Sequence, residues 1–153
     1  MKLTDILDES SIVADLQASD KGEVLKTLVD AVSTTHPTID KQEILEVLLE
    51  REELGSTGIG DGIAIPHGKA ASLDRIISGF GLSKSGIEFD SLDGKPAYLF
   101  FLLVAPENSA GVHLKALARI SRMLKNTDFR QKLLTANSQQ DIYQIISEED
   151  AKY

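Results

Sequence analysis

The chain has 153 residues, the size of one domain built around one core. Its 42% hydrophobic and 26% charged residues are those of a globular protein and exclude long disorder. A formal charge of −8 argues against general nucleic-acid binding and fits a basic protein partner, and the lack of cysteine excludes disulfides and thiolate metal sites.

The amino-terminal run Met1-Lys2-Leu3-Thr4-Asp5 does not read as an export signal, and no apolar stretch reaches membrane-spanning length. A cytoplasmic protein without membrane insertion is therefore expected. Ser11 to Leu16 reads as a short strand. Asp20 with Glu23 forms a capping box for a first helix, with Val24, Leu25, Leu28 and Val32 on one face. A second helix is announced by Pro37 and the pair Asp40 and Glu43. It turns Ile44, Leu45, Leu48 and Leu49 inward and ends near Leu54-Gly55.

From Gly55 to Gly68 the glycine-punctuated texture predicts a loop around a short buried strand, Ile63-Ala64-Ile65. Further strands are predicted at Ile76 to Leu82, Ile87 to Phe89 and Ala97 to Val104. The unbroken apolarity of the last implies burial on both sheet faces and a central position. A helix follows from Gly111 or Val112 to Lys125, with His113 in its first turn and Leu114, Leu117, Ile120, Met123 and Leu124 facing the core. Two shorter helices open at Thr127 and at Ser138 with Asp141, before a polar tail from Ser147 to Tyr153. Helices alternating with strands predict a single α/β domain over residues 1–153, a sandwich of helices around a mixed β-sheet.

Three histidines compete for a chemical role. His36, in Thr35-His36-Pro37-Thr38, reads as a surface residue of a turn. His67 follows Ile63-Ala64-Ile65-Pro66 and precedes Gly68, which places an imidazole on a rigid strand end with room for close approach. The same position also suits a structural, hydrogen-bonded histidine. Gly55-Ser56-Thr57-Gly58-Ile59-Gly60 offers N–H groups and the hydroxyls of Ser56 and Thr57, suited to phosphate oxygens. It matches neither a P-loop nor a dinucleotide fingerprint.

The stretch from Arg51 to Gly68, Arg-Glu-Glu-Leu-Gly-Ser-Thr-Gly-Ile-Gly-Asp-Gly-Ile-Ala-Ile-Pro-His-Gly, resembles the phosphorylation-site signature of the fructose/mannitol-type enzyme IIA of the bacterial phosphoenolpyruvate-dependent phosphotransferase system. The resemblance runs from about Leu3 to Glu148 and includes Val112-His113-Leu114, where that family carries a second active-site histidine. Gly-Ser-Thr-Gly-Ile-Gly and the length look most like the nitrogen-related, regulatory branch.

The resemblance implies a phosphotransferase whose His67 takes a phosphoryl group from an HPr-like carrier, assisted by His113 and Arg51, with no cofactor. It also implies either regulatory targets, such as potassium transport or a sensor kinase, or a sugar permease component as the onward partner. Phosphoryl transfer asks mainly for in-line positioning and for cations or N–H groups around the oxygens. Arg51 has Val47 and Leu48 one turn earlier, so no carboxylate there occupies its guanidinium. An exposed His113 without a role is the bland alternative. Asp61 suits orienting an imidazole, repelling phosphate or serving the turn.

A zinc hydrolase using His67, His113 and Asp61 would lack the close ligand pairs such sites show. A pure protein-binding module with an inert His67 is the remaining alternative. For a carrier, an acidic rim facing a basic partner is expected.

Overall fold

Asp20 and Asp40 start the two helices announced in the sequence. In the computed structural model, which describes residues 1–153, their side chains accept from the backbone N–H groups of Glu23 and Glu43. Each bond satisfies a donor that the first helical turn leaves unpaired. Helix α1 spans Lys21–Thr35 and α2 spans Lys41–Leu54. Val24, Leu25, Leu28 and Val32 of α1 and Ile44 and Leu48 of α2 are buried, as predicted. Leu49 is exposed instead, because helix geometry turns it about 100° away from Leu48.

The strands are β1 (Leu7–Val13), β2 (Gly58–Gly60), β3 (Ile63–Ala64), β4 (His67–Ala70), β5 (Ile77–Ile87) and β6 (Ala97–Pro106). They form one mixed sheet in the order β1-β5-β6-β3-β2, with β4 also paired to β6. β5 runs antiparallel to β6, whereas β1 on β5 and both β3 and β4 on β6 are parallel.

β6 is central, and its side chains alternate between two cores. Leu99, Phe101 and Leu103 join Phe80 and Leu82 on one face, under α3 (Ala110–Leu124), α4 (Thr127–Leu134) and α5 (Gln139–Asp150). Phe100, Leu102 and Val104 join Phe89 on the other, under α1 and α2. The result is a single α/β domain of three layers. No helix is long and apolar enough to cross a membrane.

Several sequence expectations shift. The first strand begins at Leu7, not Ser11, because the exposed Asp8, Glu9 and Ser10 sit in an irregular stretch between the paired Leu7 and Ile12 and conceal it. The segments from Ile76 to Leu82 and from Ile87 to Phe89 belong mostly to one long strand, broken only in register between Leu82 and Ile87. Phe89 lies beyond its end yet is fully buried.

The glycine-rich loop contains β2, β3 and the start of β4. α5 continues to Asp150, so Ser147 to Asp150 is helix and not tail. Glu149 and Asp150 are buried there because Arg119, Asn126, Thr4 and Tyr153 satisfy their carboxylates.

Candidate functional site

The end of α2, the start of β4 and the first turns of α3 converge on a cavity of about 450 Å³. α2 contributes Val47, Glu50, Arg51 and Leu54; β4 contributes His67, Gly68 and Lys69; α3 contributes His113, Leu114 and Leu117. Three of the sequence-predicted residues, Arg51, His67 and His113, are thus brought together from positions far apart in the chain.

His67 is the first residue of β4 and pairs with Leu103 of the central strand, so the imidazole stands on the most buried element of the fold. β4 lies close against α2 because Gly68 has no side chain; a Cβ there would come within 2.6 Å of Val47 Cγ1. The His67 Nδ1 lies 2.7 Å from the carbonyl oxygen of Ile65. A carbonyl only accepts, so Nδ1 carries the proton and the Nε2 lone pair is the free one. Burial pushes the imidazole below its ordinary value of 6.5, the Ile65 bond opposes this, Arg51 lowers it further and Glu52 raises it. The ring is therefore neutral at neutral pH.

His113 is buried, contrary to the exposed alternative. It stands with Ala116, Ile120 and Met123 on the inward stripe of α3, and that placement leaves Leu114, expected in the core, exposed instead. The ring centres of His67 and His113 are 5.5 Å apart. His113 Nδ1 is buried with no hydrogen-bond partner. Burial, then His67 and Lys69, lowers its pKa. The guanidinium of Arg51 takes part in none of the chain's ion pairs and donates to the Gly55 carbonyl at 2.8 Å.

Ser56 and Thr57 do not line this cavity. The Ser56 hydroxyl donates to the Phe89 carbonyl at 2.7 Å, and the buried Thr57 hydroxyl donates to the Glu52 carboxylate. Both are committed to holding the loop, which corrects their expected role as phosphate contacts. Asp61 sits at φ 57° in the turn between β2 and β3, where its N–H donates to Asp93 at 3.2 Å. It lines a different, smaller cavity with Lys125 and Arg130. Of the roles open to it, only the turn remains, and the zinc triad of His67, His113 and Asp61 does not converge. His36 lies apart, at the end of α1, 3.8 Å from Asp8.

One residue of the cavity and one buried beside it were missed in the sequence. Lys69 follows His67 by two positions, and on a strand that spacing puts both on one face. The signal was present once β4 is read as a strand. Glu52 continues the inward spacing Ile44, Leu48, Glu52 of α2, a carboxylate where an apolar residue is expected. The cavity lining carries two cations, Arg51 and Lys69, beside one carboxylate, Glu50. The cavity itself therefore shows no acidic excess.

Residues 5–149 match the family described as "Phosphoenolpyruvate-dependent sugar phosphotransferase system, EIIA 2". The chain is 40% identical over 147 residues to a nitrogen regulatory protein of Bradyrhizobium diazoefficiens, covering 96% of this chain and 95% of that one. It is 39% identical over 150 residues to the fructose-specific EIIABC component of Bacillus subtilis, covering 98% of this chain but only 24% of that longer protein. The crystal structure of nitrogen regulatory protein IIA-Ntr from Neisseria meningitidis superposes with a TM-score of 0.85 at 32% identity, over 93% of this chain and 97% of that one. Fold and comparisons together define a phosphotransfer domain. The chain belongs to the EIIA 2 family of the phosphoenolpyruvate-dependent sugar phosphotransferase system.

Proposed function

We propose that His67 Nε2 accepts a phosphoryl group from the phosphohistidine of an HPr-like carrier, and that the chain acts as a regulatory, nitrogen-related enzyme IIA. The observation that carries the first half is the Nδ1 bond to Ile65, which fixes the tautomer with its lone pair on Nε2. That lone pair attacks phosphorus, the N–P bond of the donor breaks, and its electron pair stays on the donor nitrogen. His67 keeps its Nδ1 proton throughout. Arg51 and Lys69 supply cations for the oxygens, and His113 supplies a ring nitrogen that becomes a donor when protonated.

Likeness to nitrogen regulatory proteins over nearly their whole lengths supports the regulatory half. Phosphorylation adds charge to the cavity rim and so changes which proteins dock there. A single EIIA unit over residues 1–153, placed in the cytoplasm, completes the reading. A second reading, transfer onward to a sugar permease component, draws on the 39% identity to the fructose-specific EIIABC component.

The test is intact mass after incubation with phosphoenolpyruvate, enzyme I and an HPr-type carrier. One acid-labile phosphoryl group on the parent, absent from His67→Ala and still acquired by His113→Ala, supports the carrier. A parent that stays unmodified with every carrier overturns it in favour of a binding module. Adding a fructose-type EIIB and EIIC with sugar separates the two readings, since only the second expects phosphorylated sugar.

A further inference from the structure

Glu52 is buried at the end of α2 and does not touch the cavity, yet it is bonded on every side. Its carboxylate accepts from Lys21 Nζ at 3.1 Å, from the Thr57 N–H at 3.2 and 3.3 Å, and from the Thr57 hydroxyl. A buried carboxylate persists in this form only when it is paired and hydrogen-bonded. The bonds pin Thr57 against the helix that carries Arg51. Between the two anchor points lies the turn containing Gly55, whose carbonyl holds the Arg51 guanidinium at 2.8 Å.

We infer that Glu52 is a positioning residue: by fixing the turn from Gly55 to Thr57 it holds the Arg51 guanidinium at the mouth of the His67 cavity. This rests on the proposed carrier function and extends it to a residue outside the cavity. Without the carboxylate the Thr57 anchor is lost, the Gly55 carbonyl moves, and Arg51 samples solvent instead of one geometry. A misplacement of about 1 Å at a reacting group can cost roughly a hundredfold in rate.

The test is a cycle of Glu52→Ala, Arg51→Ala and the double variant, measured as phosphoryl transfer from a phosphorylated HPr-type carrier. Arg51→Ala is expected to slow the maximal rate by roughly a hundredfold. Glu52→Ala is expected to slow it about tenfold or more, with the KM for the carrier changed less than about twofold. The double variant should be no slower than Arg51→Ala alone, since Glu52 acts through Arg51. A further tenfold loss in the double variant, or a parental rate in Glu52→Ala, overturns the inference.

Should Glu52→Ala not fold, Thr57→Val and Thr57→Ser take its place. Valine removes the hydroxyl anchor and should slow transfer only when Arg51 is present, whereas serine keeps the hydroxyl and should restore the rate. Equal rates for the two overturn the inference. NMR relaxation of the Arg51 Nε–H reads the same link without any transfer. Order in the parent that is lost in Glu52→Ala supports the inference even if no carrier phosphorylates the protein, and unchanged order refutes it.

Discussion

Phosphorylation of His67 should draw a proton onto His113. In the unmodified protein burial, then His67 and Lys69, holds His113 below 6.5, so its ring is neutral near pH 7. The two ring centres lie 5.5 Å apart. At that separation, with an effective dielectric constant of about 20, one negative charge favours the imidazolium by about 3 kcal/mol. That is about a hundredfold in the protonation equilibrium, and because His67 keeps its Nδ1 proton, the cationic ring offsets part of the phosphoryl charge and leaves the modified side chain about one negative charge more than before. Arg51 and Lys69 oppose the proton, but the same phosphoryl oxygens draw and neutralise them.

Imidazole nitrogen NMR near neutral pH, before and after phosphorylation, reads the change directly. Calorimetry of the transfer in buffers of different ionisation enthalpy should show net proton uptake by the acceptor, absent in His113→Gln. Neutral-form nitrogen shifts for His113 in the phosphoprotein, with no uptake, would refute the electrostatic account of the site.

Two other outcomes are expected. Gly68→Ala puts a Cβ within 2.6 Å of Val47 Cγ1 and should destabilise the fold by about 1–3 kcal/mol in urea titration, with Val47→Ala restoring most of it; parental stability in Gly68→Ala alone would contradict the close packing of β4 on α2. Stability should also fall in two pH windows. Because His67 and His113 are lowered when folded, the unfolded chain binds more protons below 6.5, so stability is complete above that value and declines on acidification. Burial pushes the Asp150 carboxyl up, but the backbone N–H groups of Leu3 and Thr4 and the Arg119 bond outweigh it and leave the group below its ordinary range. Its contribution is therefore present above the ordinary carboxylate range and lost as pH falls through the folded value. Urea midpoints at stepped pH check both; in His67→Ala/His113→Ala the upper window should flatten, and in Asp150→Ala the lower one.

What the sequence made legible follows from periodicity and local chemistry. The capping aspartates of α1 and α2 and the two-faced β6 are local or strictly periodic signals, and the structure matches them. The gathering of Arg51, His67 and His113 came from resemblance, since nothing local tells that α2, β4 and α3 meet. Residues whose polarity contradicts their burial were lost. Glu52, His113, Glu149 and Asp150 each sit inward because a specific partner or cavity accepts them, which hydrophobic patterning cannot register. Ser56 and Thr57 misled for the opposite reason: their hydroxyls suit phosphate, but Phe89 and Glu52 engage them first.

The Ile65 carbonyl owes its availability to the point where pairing with the β2 side stops. Gly62 and Pro66 give their carbonyls to β6, and alternation turns Ile65 the other way, toward the side where β2 lies. There its N–H reaches Thr57, the residue before β2, while its carbonyl has only His67. If the segment before β2 slid along β3 so that one of its backbone N–H groups reached that oxygen, His67 would be free to move its proton to Nε2. The nucleophile would be silenced by competition for one backbone acceptor, with the cavity itself untouched, so keeping this one carbonyl free of backbone donors is part of keeping the histidine reactive.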